Sequence, residues 1–181
     1  MQRALLAPPA LGGAPLDELK HWLAISRTED DASLEALLRA ALETCEAFTG
    51  SLPIAAAVEE IHPARRDWQR LRTGPVQAIT QVEGIPAEGA RIAFAPGAFE
   101  IDIDAGGRGS FRILQPSAAG RIAVRFSAGL APDWAALPEG LRHGILRLAA
   151  HHYRARESDP RPNPPAAIAA LWRPWRRLRI A

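Results

Sequence analysis

The sequence predicts an α+β fold, a small helical bundle that carries a β-rich antiparallel insertion and ends in an extended tail. Three observations predict it. Residues 31–49 lay a single apolar stripe along a helix, with Leu34, Leu37, Leu38, Ala41, Leu42, Cys45 and Phe48 recurring at three- and four-residue steps. After Pro53 the pattern changes to short β-branched or alternating runs separated by Gly and Pro. Helical spacing returns at Leu137–Glu157 and gives way to the Pro-rich segment Ser-Asp-Pro-Arg-Pro-Asn-Pro-Pro.

In chain order, residues 1–14 are small, apolar and rich in Pro and Gly, and are expected to form an N-terminal arm. Pro15 suits the first turn of a short helix over 15–25, because its missing N–H is not needed there. Leu16, Leu19, Trp22 (or Leu23) and Ile25 can then reach the long helix 31–49 across a short loop, giving an antiparallel pair. Thr28, Asp30 and Asp31 offer oxygens to the free N–H groups of that helix's first turn, and Gly50 supplies its left-handed stop. Glu35, Arg39, Glu43 and Glu46 fall mostly off the stripe and face water. The insertion, about 55–127, holds seven candidate strands: Ala55–His62, Asp67–Leu71, Val76–Val82, Arg91–Phe94, Phe99–Ile103, Gly109–Leu114 and Ile122–Phe126. Phe99–Leu114 reads as a hairpin around Gly106-Gly-Arg-Gly. A helix over 138–157 places Leu141, Ile145, Leu148 and His152 on one face, and Gly144 within it permits a close crossing. A connector domain over 15–157 is thus followed by a spacer and tail over 158–181, in which Ala166–Leu171 has room for one or two helical turns.

Composition excludes several classes. No run of eighteen apolar residues exists, so no transmembrane helix is expected, and the apolar N-terminal run is too short and too broken by proline for a signal sequence. Cys45 is the single cysteine and lies on the apolar stripe, so no disulfide framework is present, which fits an intracellular site of synthesis. The formal net charge is +2, but it is polarised: four Lys/Arg against ten Asp/Glu through Glu60, then eighteen against ten. Arg161–Ala181 holds five arginines and no acid. Such polarity favours head-to-tail stacking or an acidic partner.

No catalytic or metal constellation emerges. Glu100, Asp102 and Asp104 share one strand face, but strand spacing sets alternate residues roughly 7 Å apart, loose for one ion. His151 and His152 are adjacent, and His143 is eight residues from His151, so one helical turn cannot converge them on zinc. Gly106–Gly109 lacks the Lys-Ser/Thr and helix of a phosphate loop, and Cys45 sits mid-helix on the buried side. The chain is expected not to be an enzyme and to need no cofactor or metal.

The tail is the feature with chemistry to place. Leu171, Trp172, Trp175, Arg176, Arg177, Leu178, Arg179 and Ile180 mix arginines with large apolar groups, the residue types enriched at interface hot spots. Docking into a protein partner is the favoured account. DNA is the rival, since arginines neutralise phosphates and indoles stack on bases.

The succession "LDELKHWLAI", "RTEDD", "SLEALLRAALETCEAFTG", proline-separated strands, "VRFSAGLAPDWAALPEGLRHGILRLAAHHYRARE" and "LWRPWRRLRI" resembles the head–tail connector (adaptor) proteins of long-tailed bacteriophages. It is especially similar to the adaptors of gene transfer agents. The resemblance runs from about Leu16 to Ile180. It implies a structural virion protein at the head–tail junction, made in the bacterial cytoplasm. Such a protein forms a ring, usually dodecameric, beneath the portal, lengthening the DNA channel and offering a platform to the stopper (head-closure) protein. DNA passes through the lumen without sequence-specific binding, and no membrane is involved. By the same resemblance, Leu171–Ile180 is the portal-docking segment.

A closed ring needs two complementary flanks on each subunit. Acidic Glu29, Asp30 and Asp31 against basic Arg65, Arg66, Arg70 and Arg72 would supply one such pair. The second-ranked reading is a DNA-binding module using the Arg/Trp tail, and the third, far behind, a metal-dependent hydrolase centred on His151/His152 or the Glu100/Asp102/Asp104 face.

Overall fold

The computed structural model describes residues 2–9, 11–115, 119–155 and 164–177. The chain divides into two compact units, each assembled from two separate stretches: Met1–Pro9 with Ala55–Leu130, and Ala10–Ile54 with Ala131–Ala181. The fold is α+β, as the alternation of patterns predicts.

The first unit is two antiparallel sheets. Strands β1 (Gln2–Leu5), β2 (Ala56–Pro63), β4 (Val76–Ile85), β5 (Ile92–Ala93) and β8 (Arg121–Ala128) form one in the order β1-β2-β8-β4-β5. Strands β3 (Gln69–Arg70), β6 (Phe99–Ile103) and β7 (Gly109–Ile113) form the other, in the order β3-β7-β6. All seven expected runs are strands. The eighth lies in the expected arm, where Gln2–Leu5 pairs with Val58–Ile61. Nothing in Gln-Arg-Ala-Leu alternates, and all four residues are exposed, so this edge strand is held by its ladder and not by a buried face. Val58, Val82, Ile122, Val124 and Phe126 of the larger sheet are buried, as are Phe111 and Ile113 of the smaller one. His62 meets Phe111 edge-on at 5.1 Å between ring centroids.

The second unit is helical: α1 (Ala14–Leu23), α2 (Asp31–Thr49), α3 (Glu139–Arg154) and α4 (Ala166–Trp172), with a 3₁₀ turn over Arg173–Trp175. Leu34, Leu38, Ala41 and Cys45 carry the α2 stripe into the core, with Leu19 of α1 and Leu141, Ile145 and Leu148 of α3. Three local expectations change. The first helix stops at Leu23, where Ala24 takes the left-handed conformation (φ 56°). Trp22 points outward at 45 % exposure, so Leu23 and not Trp22 is the partly covered residue of that turn. At the start of α2, Asp30 makes no side-chain cap. The carboxylates there tie helices together instead: Asp31 Oδ1 accepts from Lys20 Nζ at 2.7 Å, and Asp30 Oδ2 from Tyr153 Oη at 3.4 Å. A long-range contact with a tethered donor replaces a local cap. Residues 156–157, expected to end the last long helix, and the spacer 158–163 lie outside the described residues.

Candidate assembly surfaces

The tail residues divide by role. Trp172 is fully buried in its own helical unit. Its indole crosses α3 at Gly144, where a Cβ would sit 2.9 Å from Cδ1 and nearer still to Nε1, and Nε1–H donates to Leu141 O at 3.4 Å. Phe48 of α2 packs against it with ring centroids 5.9 Å apart. Trp172 is therefore a core residue of the free chain, which the sequence reading treats as an outward anchor; the bare Cα of Gly144 is what admits it. Leu171, Trp175 and Arg177 are half-buried and Arg176 is exposed. The Arg176 guanidinium lies 5.6 Å over the Phe48 ring, and Arg177 N–H donates to Thr49 O at 2.7 Å. Leu178, Arg179 and Ile180 lie outside the described residues.

The basic segment Arg65–Arg72 is a surface loop around β3. Arg65, Arg66, Arg70 and Arg72 are exposed, and among the described residues none of the four forms an ion pair. Trp68, 46 % exposed, lies under the Arg112 guanidinium at 5.0 Å. The loop is not loosely held. Glu60, fully buried on the core face of β2, accepts from Arg72 N–H (3.0 Å), Thr73 N–H (2.8 Å) and Thr73 Oγ1 (2.7 Å), and pairs with His62 Nε2 at 3.1 Å. Burial alone pushes the Glu60 carboxyl up, but the hydrogen bonds from His62, Arg72 and Thr73 outweigh it, so it titrates below the usual carboxylate range. A buried carboxylate thus fixes the end of an arginine-rich loop whose charges all face outward.

On the other face of β2, Glu59 forms a charged cluster across the sheet. Arg91 Nη1 and Arg125 Nε reach its carboxylate at 2.6 and 2.9 Å, and Arg125 Nη1 donates to Gln81 Oε1 at 3.1 Å. The hydrogen bond from Arg91, against the opposing effect of burial, holds the Glu59 carboxyl low.

On the acidic side Glu29 is exposed, while Asp30 and Asp31 are half-covered and engaged within the chain.

Glu100 and Asp104, two of the candidates for chemistry, have structural partners. Glu100 pairs with Arg112 at 2.6 Å. Asp104 Oδ1 accepts from Gly106 N–H and Arg108 N–H, shaping the hairpin whose Gly107 has φ 70°. His151 and His152 rings sit 6.0 Å apart, and among the described residues no three His, Cys, Asp or Glu side chains converge as a metal site. Burial pushes the Cys45 thiol up to about 12, so it is protonated at neutral pH. No described helix is long and apolar enough to cross a membrane.

No protein-family model matches the sequence, and no curated protein does. Solved structures do match, over the whole chain. A chain from the neck of a native gene transfer agent particle computed with C12 symmetry is 27 % identical, with a TM-score of 0.78 over 100 % of this chain and 98 % of that one. The chain is similar in fold to this gene transfer agent neck chain. A chain from the virion of a native gene transfer agent particle is 25 % identical with a TM-score of 0.79, again over 100 % of this chain and 98 % of that one. A chain from the neck of an empty particle computed with C6 symmetry is 24 % identical with a TM-score of 0.79 and the same coverage. The likeness spans both units, since it covers the whole of this chain.

Two features of this fold escape a sequence reading. Glu60 sits in an alternating strand where the core face carries Val58 and His62, and only its partners twelve and thirteen residues away make its burial sensible. Trp22, Arg147, His151 and Arg154 line a single cleft with Ile168, although the tryptophan lies 125 residues before the first of the α3 residues. The α3 residues do carry a signal, a four- and three-residue step that puts them on one helical face.

Proposed function

We propose that this chain is a structural virion protein of the neck, a head–tail adaptor that forms a ring beneath the portal, extends the DNA channel and seats the stopper. The observation that carries the reading is the whole-chain likeness in fold to chains of gene transfer agent particles, two of them from necks computed with C12 and C6 symmetry. A twelve-fold ring is the corresponding expectation for the adaptor, and its place is the head–tail junction. The role is non-enzymatic: Glu100 is paired with Arg112 and Asp104 shapes its hairpin turn.

The portal-docking surface is the outward part of the tail, Leu171, Trp175, Arg176 and Arg177, continued by Leu178, Arg179 and Ile180. Trp172 anchors that segment to α3 and so sets where it emerges. For the ring, exposed Glu29 at the start of α2, with Asp30 and Asp31 beside it, meets the unpaired Arg65, Arg66, Arg70 and Arg72 of the next copy. DNA binding by the tail is the weaker reading, because the Trp172 indole is enclosed and not available for stacking.

The test is co-sedimentation of the full-length chain with the portal ring encoded beside it. A second sample carries Trp175→Ala, Arg176→Glu and Arg177→Glu. Truncation before α4 is unsuitable because it removes Trp172 from the core. Saturable binding at one adaptor per portal subunit, lost in the triple variant, is the expected result. No binding by the unaltered chain overturns the adaptor role, and equal binding by both overturns the tail assignment.

A further inference from the structure

The helical unit carries two surfaces of opposite character. One is a cleft between α1, α3 and α4. Its cationic side is Arg147, His151 and Arg154, and its apolar side is Trp22, Ala167 and Ile168. Neither Arg147 nor Arg154 has an ion-pair partner among the described residues. The indole of Trp22 is fixed by edge-on contact with His143, ring centroids 5.4 Å apart, yet stays 45 % exposed. The other is the outward face of α2. Ala32, Ala36 and Ala40 are exposed at four-residue steps, with Glu35 and Glu43 beside them and Arg39 between.

The two surfaces match in size and charge. Arg147 to Arg154 spans seven residues and Glu35 to Glu43 eight, so the charged ends of each lie about 10–12 Å apart. Alanine lets a second helix approach closely, and an apolar groove with a cationic rim suits an acidic amphipathic helix. The surfaces are distinct, so each copy can give one and receive the other, the heterologous contact that closes a ring.

We propose that the Trp22/Arg147/His151/Arg154 cleft receives the Glu35–Glu43 face of α2 from the neighbouring copy. This deepens the ring reading and rests on it. The contact adds a helix-to-helix element to the charge pairing at the start of α2.

The experiment co-produces the full-length chain with the portal protein and counts adaptors per portal by electron microscopy. R147E/R154E and E35R/E43R are each expected to lower ring occupancy at least about tenfold, because like charges then face one another across the contact. The quadruple variant, with the signs exchanged, recovers most of the occupancy, a recovery that misfolding cannot produce. Full occupancy in both double variants overturns the cleft assignment while leaving the ring reading intact, and so does a quadruple variant no better than the doubles. Absence of any ring from the unaltered chain overturns both. Binding of an oligodeoxythymidine that R147E/R154E abolishes, with ring occupancy unchanged, makes the cleft a nucleic-acid site and also overturns the proposal.

Discussion

The Trp172 indole lies against the bare Cα of Gly144, with Nε1–H turned toward Leu141 O. This contact joins the last described segment of the chain to the middle of α3. It makes the tail's first tryptophan a stability residue and leaves its neighbours to the surface.

Gly144→Ala should therefore destabilise the protein although alanine favours helix. The new methyl has no space unless the indole moves, and overpacking of this kind costs about 1–3 kcal/mol. Trp172→Ala should cost more, about 3–5 kcal/mol, through the cavity it leaves. Urea unfolding followed by fluorescence separates them. Equal stability of Gly144→Ala and the unaltered chain would show that Trp172 does not occupy this slot.

Glu60→Gln tests the buried carboxylate. The charge that four donors share is lost, and the amide NH₂ faces donors where an oxygen accepted before. A cost of about 2 kcal/mol is expected, typical of hydrogen bonds to a charged group. Hydrogen exchange at the Arg72 and Thr73 amides should speed up more than in the rest of the sheet. Uniform acceleration would mean the loop is held by something else.

Stability should fall with acid in two stages. Glu59 and Glu60 titrate below the ordinary glutamate value of 4.5 in the folded chain. Their contribution is present above that value and is lost as pH falls through the lower folded one. His152 is shifted down from 6.5, first by burial and then by His151, so the unfolded chain binds its proton more readily. Stability should therefore begin to decline as pH drops through 6.5, and again below 4.5. His152→Gln should remove the first decline and keep the second; a first decline that survives in His152→Gln would assign it elsewhere.

The seven strand runs, the α2 stripe and the returning helix α3 were legible because each rests on a local period that burial enforces. The short helix after the Pro-rich segment was legible too, since Ala166–Leu171 contains no breaker. What sequence could not supply was pairing at a distance. Gln2–Leu5 has no strand pattern and acquires one only from the β2 ladder. Trp172 looks like an exposed anchor beside arginines until Gly144, twenty-eight residues earlier, is seen beneath it. Asp30 and Asp31 have the composition of a cap, but Tyr153 and Lys20 compete successfully for their oxygens.

Charge reversal at the arginine loop should separate assembly from folding. Arg65 and Arg66 are exposed and unpaired among the described residues, so Arg65→Glu/Arg66→Glu should change stability by no more than about 0.5 kcal/mol. If the loop meets the acidic start of α2 in the next copy, the same variant places like charges together and should impair ring assembly. Glu29→Arg, on the opposite flank, should impair it as well and should partly rescue the loop variant when both are combined. The defect should also depend on salt, since exposed charges are screened within about 10 Å at 0.1 M ionic strength. Raising the salt should weaken assembly of the unaltered chain and relieve the repulsion in the variant, so the two should converge. Assembly that is equally complete for both at low salt would remove Arg65 and Arg66 from the interface, leaving the ring to the helical contact alone.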